Sequence, residues 1–211
     1  MVSLLFSTRL CHSAGMGDLF DHLPQVEPQG WPPADGNNYY FCTVPPSEVR
    51  AAMFRHWQHL AARLPDRYAF RHDALHLSLL GLVQERGPVA RSLDQVKAAM
   101  EGFRHPPLDL VFDRIETLGQ KPKGYPAIAL CATTQPQDAL ALRIYQVLRL
   151  AGAAVKPPGK TLAHVTLAYG PAIERYVLTV PLSWRVESFA LVKSIQGEGR
   201  LEILEEWPLG R

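Results

Sequence analysis

Two short stretches carry side chains suited to moving protons at neutral pH: Leu75-His76-Leu77-Ser78-Leu79-Leu80 and Ala163-His164-Val165-Thr166-Leu167-Ala168. Both read His-x-[Ser/Thr]-Leu, and both lie where apolar residues alternate as they do in a β-strand. Neighbouring side chains on a strand point to opposite faces, so His76 and Ser78 share one face, as do His164 and Thr166. The intervening Leu75, Leu77 and Leu79, and likewise Ala163, Val165 and Leu167, then face a core. An imidazole beside a hydroxyl, twice over, suits the opening of a cyclic phosphodiester. One neutral histidine takes a proton from water, a protonated one gives a proton to the leaving sugar oxygen, and the hydroxyls donate to the charged phosphate oxygens. With eight histidines in 211 residues, chance supplies on the order of one such triplet. A single copy would mean a satisfied surface histidine. Two copies in strands from separate halves of the chain argue for a site.

The elements that must position these residues follow from periodicity. Residues 39–44 (YYFCTV) read as a strand stopped by Pro45 and Pro46, with Ser47 offered as the helix N-cap. Val49, Met53, Trp57, Leu60 and Leu64 recur at helical spacing, which predicts a helix over about 48–63. The first motif strand covers 75–80, and a second helix carries Leu93, Val96, Met100 and Phe103 on one face. Strands over 108–118 and 127–133 flank a loop from Gly119 to Gly124, and a third helix spans 137–150. Four further strands are expected over 162–169, 176–180, 186–194 and 201–207. The alternation lacks a nucleotide-binding glycine fingerprint, which points to α+β with antiparallel sheets.

The paired motifs resemble the signature of the two-histidine phosphoesterase superfamily, in particular its 2'-5' RNA ligase or RNA 2',3'-cyclic phosphodiesterase branch. The likeness runs from about Tyr39 to Trp207. YYFCTVPPSEV resembles the family's opening strand and helix start, and Ser188–Ser194 followed by Leu201–Pro208 resembles its closing strand pair. The resemblance implies a bilobal, pseudo-two-fold α+β fold whose two antiparallel sheets line a central cleft, with helices on the outside. It implies His76 as proton donor, His164 as proton acceptor, and Ser78 and Thr166 as phosphate holders. The activity implied is hydrolysis of RNA 2',3'-cyclic phosphate ends to a 2'-phosphate without metal or cofactor, with reverse 2'-5' ligation open to the same groups. The alternatives are a phosphodiesterase for a small cyclic phosphate or 2'-5' oligonucleotide, and a non-catalytic RNA-binding protein with the same cleft. Two departures stand out. Ser78 replaces the commoner threonine and keeps the hydroxyl. Tyr169 stands where many members of the branch carry an arginine, which leaves one phosphate or nucleotide contact, and the exact substrate, open.

Other residues are weaker candidates. Tyr169 and Tyr125 can stack a base or simply pack at a rim. Lys160, Lys156, Lys121 and Lys123 can steer a polyanion or merely keep loops solvated. His72 and His76 are four apart, but a strand period separates them, which argues against a zinc site. His56 and His59 flank Trp57 on the first helix and read as solvated. A net charge of +2 excludes a nucleic-acid-coating protein but permits a basic groove. Cys11, Cys42 and Cys131 form no CxxC pair and suit a reducing cytoplasm. No apolar run approaches the roughly 20 residues that span a bilayer. Residues 1–36 show no period and are rich in Gly and Pro near their end. They read as a flexible extension, with Met16 as an alternative start, ahead of one bilobal domain over 37–211. The expectation is a cytoplasmic monomer acting on RNA ends or small nucleotides.

Overall fold

Strand β1 (Asn38–Thr43) stops at a pair of prolines, which withhold backbone donors, and helix α1 (Ser47–Ala61) starts directly after them. In this computed structural model, which describes residues 37–64, 68–82, 93–119, 125–153, 155–195 and 198–210, Pro46 rather than Ser47 occupies the capping position. Its ring fixes φ at -66° with an extended ψ of 168°, and its carbonyl accepts the first helical bond from Arg50 N at 2.9 Å. The Ser47 hydroxyl bonds the Glu48 carboxylate instead. Helix α1 buries Val49, Met53, Trp57 and Leu60. The expected extension over 1–36 and the loop lysines Lys121 and Lys123 lie outside the described residues.

A single 3-10 turn at His72–Ala74 leads into strand β2 (Leu77–Gly81), so His76 stands just ahead of the strand and not within it. Helix α2 (Leu93–Ala99) is shorter than its apolar stripe suggested, because Gly102 takes a left-handed φ of 71° that turns the chain before Phe103. Val96, Met100 and Phe103 are nevertheless buried. Strands β3 (Leu108–Leu118) and β4 (Ala127–Ala132), helix α3 (Gln137–Leu150) and strand β5 (His164–Tyr169) follow. Strand β6 (Tyr176–Val186) runs on past Val180, the expected end, to meet β7 (Ser188–Ile195) and β8 (Arg200–Pro208). The strand continues through Pro181 because residues 178–181 lie in a break of the β3–β6 register, where no partner residue opposes the proline.

Two four-stranded antiparallel sheets result, in the orders β2-β1-β7-β8 and β5-β4-β3-β6. Each motif strand is an edge strand, paired on one side with the strand that precedes its own helix: β1-α1-β2 in one lobe, β4-α3-β5 in the other. The correspondence extends to register. Ser78 pairs with Cys42 and Leu80 with Phe41, while Thr166 pairs with Ala129 and Ala168 with Ile128. In both lobes the motif strand therefore carries one extra residue, Leu79 or Leu167, directly after the hydroxyl. Such a bulge resets the alternation. Leu79 and Leu80 are both buried, as are Leu167 and Ala168, and the exposed face resumes at Gly81 and Tyr169. One continuous apolar cluster joins both sheets with α1 and α3, including Phe41, Met53, Phe112, Ile128, Leu140 and Phe189.

Candidate active site

His76, Ser78, His164 and Thr166 line one cleft of about 750 Å³, together with Tyr40, Arg71, Gly81, Tyr169 and Ser194. All four motif residues thus meet in one place, although His76 precedes its strand, and the bulges add Gly81 and Tyr169. The two imidazoles are held alike. His76 Nδ1 lies 2.8 Å from Ala74 O, and His164 Nδ1 lies 2.8 Å from Leu162 O, each carbonyl two residues back along the chain. A carbonyl only accepts, so in both rings Nδ1 carries the hydrogen and Nε2 is left for chemistry. Neither ring can turn over without losing its bond.

Behind His164, the start of α3 sets the approach to β5. Ala163 N donates to Gln135 Oε1 at 2.6 Å, and the buried Gln137 donates through Nε2 to Thr161 O at 2.9 Å and to Gln135 Oε1 at 3.0 Å. These bonds fix residues 161–163, and with them the carbonyl that orients His164. Nothing in the sequence singled out either glutamine, since their role depends on a contact 24 and 28 positions away.

Burial lowers His76 from 6.5 to about 4, the Arg71 and His164 charges act in the same direction, and the bond to Ala74 O opposes them. Tyr40 packs its ring 5.1 Å from that of His76. Burial pushes its hydroxyl up to about 12 against a hydrogen bond from Ser194, so it is a neutral donor or acceptor at pH 7. At pH 7 His76 is therefore neutral as well. Arg71, Tyr40 and Ser194 are the site residues that the sequence reading missed. Arg71 comes from the stretch before the first motif, where no period or motif marks it.

A model of the 2'-5' RNA ligase superfamily matches residues 45–198, which include both motif strands. The chain belongs to that superfamily. Among solved structures, a crystallised phosphoesterase is 25% identical with a TM-score of 0.56, covering 83% of this chain and 99% of its own. LigT of E. coli in complex with NADP+ is 22% identical with a TM-score of 0.60 and the same coverages. TT0787 of Thermus thermophilus is 20% identical with a TM-score of 0.60, covering 81% of this chain and 97% of its own. LigT has also been crystallised with ATP and with 3'-AMP. No curated protein matches the chain.

Both histidines and both hydroxyls line the cleft, whereas several weaker candidates fall outside it. Tyr125 and Lys160 are exposed and are not among its lining residues. Lys156 is likewise exposed in the approach to β5. His72 packs against Phe54 and Phe70, with ring centroids 4.9 and 4.7 Å away. His56 and His59 sit on α1, away from the cleft lining. Among the described residues no three of His, Cys, Asp and Glu gather as a metal site, and no helix is long and apolar enough to cross a membrane.

Proposed function

We propose that this cleft opens 2',3'-cyclic phosphates at RNA ends with water and leaves a 2'-phosphate. The observation that carries the reading is the pair of imidazoles, each pinned through Nδ1 to a carbonyl and each leaving Nε2 to a cleft that also holds two hydroxyls. A volume of about 750 Å³ suits a nucleotide-sized ligand, and nucleotides have been crystallised on LigT. In this mechanism His164 Nε2 takes a proton from water as the water oxygen bonds to phosphorus. His76 Nε2 gives a proton to the 3'-oxygen as its bond to phosphorus breaks. Ser78 and Thr166 donate to the non-bridging oxygens, where negative charge builds. The reverse path, with an RNA hydroxyl in place of water, uses the same transfers and yields a 2'-5' link.

The lowered pKa of His76 fits the donor role once substrate is present. An anionic phosphate beside His76 favours its charged form and raises it from about 4, so His76 takes up its proton from solvent as substrate binds. The limb on which activity falls with rising pH, assigned to His76 as the acid, should therefore lie at higher pH in the kcat profile than in kcat/KM. A His76 acting as the base would instead need to stay neutral in the bound state. The direct test is incubation with a short RNA ending in a 2',3'-cyclic phosphate, with chelator, and identification of the product. The expected result is a 2'-phosphate formed equally well with chelator present, since two imidazoles supply both proton transfers. Binding without turnover would leave an RNA-binding module, and loss on chelation restored by a divalent cation would exclude the two-histidine mechanism.

A further inference from the structure

We propose that Arg71 grips the reacting phosphate from the His76 side of the cleft, and that the segment from Tyr68 to Arg71 is a strap from one lobe that docks on the other to hold it there; the proposal rests on the reading of the cleft as a phosphoesterase site. Among the described residues lining the cleft, Arg71 is the one lysine or arginine, and no carboxylate lines it. The guanidinium lies over the ring of Tyr169, 5.1 Å from its centroid. A guanidinium stacked on an aromatic face keeps its N–H edge for a planar, two-pronged grip on phosphate oxygens. Tyr169 thus fills the place where the resemblance implied an arginine with a ring that seats an arginine from the other lobe. The bulge at Leu167 is what turns that ring outward.

Two contacts dock the strap on the other lobe, and a third anchors it to its own. Arg71 N donates to Leu167 O at 2.9 Å, using an outward carbonyl of edge strand β5. Tyr68 sets its ring edge-on to Trp57 of α1, with centroids 6.0 Å apart. The other side of that ring presses on Gly170, where a Cβ would come 1.8 Å from Tyr68 Cε1, well inside contact distance. Gly170 is therefore required by the closeness of the strap and not by its backbone angles. A strap that only tied the lobes together would not need its one cation inside the cleft. Arg71 and His76 line the same cleft, and the Arg71 charge bears on both His76 and Tyr40.

The test uses the full chain and adenosine 2'-monophosphate as the probe, with affinity read by calorimetry and the His76 titration read by NMR. Arg71→Gln should weaken binding roughly 10- to 100-fold and flatten its salt dependence, as loss of a charge-assisted contact does. In the ligand-free variant His76 should titrate at higher pH than in the wild type. Arg71→Lys should keep part of the affinity, and Tyr169→Leu, which keeps the charge but removes its seat, should lose less than Arg71→Gln. These milder variants serve if Arg71→Gln does not fold. Unchanged affinity in folded Arg71→Gln, or a wild type that does not bind the probe, overturns the proposal. Turnover of an RNA cyclic phosphate by Arg71→Gln at the wild-type kcat/KM would also overturn it while leaving the proposed function intact. Arg71-dependent binding in a protein that opens no cyclic phosphate would uphold the grip and reject the function.

Discussion

Two side chains of opposite talent sit on each motif: an imidazole fixed by a backbone carbonyl and a hydroxyl two residues on. Their meeting in one cleft was legible because spacing on a strand translates directly into a shared face. Arg71 was not legible, since its place depends on a stack against Tyr169, 98 positions further along the chain. Tyr169 was only half legible. Strict alternation from His164 would bury it, and the extra residue at Leu167 brings it out to 44% exposure. At this scale the sharpest expectation concerns Ser78, where the chain has the smaller hydroxyl. Ser78→Thr keeps the donor and should retain most activity, whereas Ser78→Ala should lose on the order of 10²-fold in rate. Steady-state kinetics on a cyclic phosphate decides it, and equal activity of the two variants would show that this hydroxyl does not touch the phosphate.

The elements were read well where apolar period was long, as in α3, whose expected bounds coincide with Gln137–Leu150. They were read less well where context overrode local signals. Pro181 looked like a strand end and lies in a break of the β3–β6 register; Ser47 looked like a cap and is the first residue of the helix. The bonds from Gln135 and Gln137 belong to this scale too, because they join the start of α3 to the approach of β5. Gln135→Ala would strip Ala163 N of its acceptor in a part-buried setting, costing about 1 to 3 kcal/mol of stability. It would also loosen the carbonyl of Leu162 that orients His164, so kcat should fall by up to about 10²-fold, the cost of slight misplacement, with KM little changed. Denaturant unfolding and steady-state kinetics measure the two effects. A loss of stability with kcat intact would mean that the network only braces the fold.

For the molecule as a whole, the α+β class, the two antiparallel sheets and the paired motif strands were all readable. The matched bulges were not, because a register slip leaves no mark in composition. The two lobes share one core, so the state of the cleft bears on the stability of the entire domain. His76 titrates near 4 when folded and near 6.5 when not. Between those values the unfolded chain binds a proton that the folded chain refuses. Stability should therefore fall as pH drops from about 6.5 to about 4, by on the order of 3 kcal/mol from this group, and this contribution should level off below that window. Denaturant midpoints of wild type and His76→Gln across pH 4 to 7 isolate the effect. The variant should lose less stability over the window, and parallel curves would show that His76 is not held neutral by the fold.

In the proposed mechanism His76 and His164 act in one chemical step. The most direct measurement is the turnover of an RNA 2',3'-cyclic phosphate by His76→Ala, His164→Ala and the double variant, with circular dichroism to verify folding. Each single change should cost roughly 10² to 10⁴-fold, the usual worth of a positioned acid or base. The double variant should lose far less than the product of the two, because groups that act as a unit are not additive. Near-normal turnover by folded His76→Ala beside a dead His164→Ala would contradict the account.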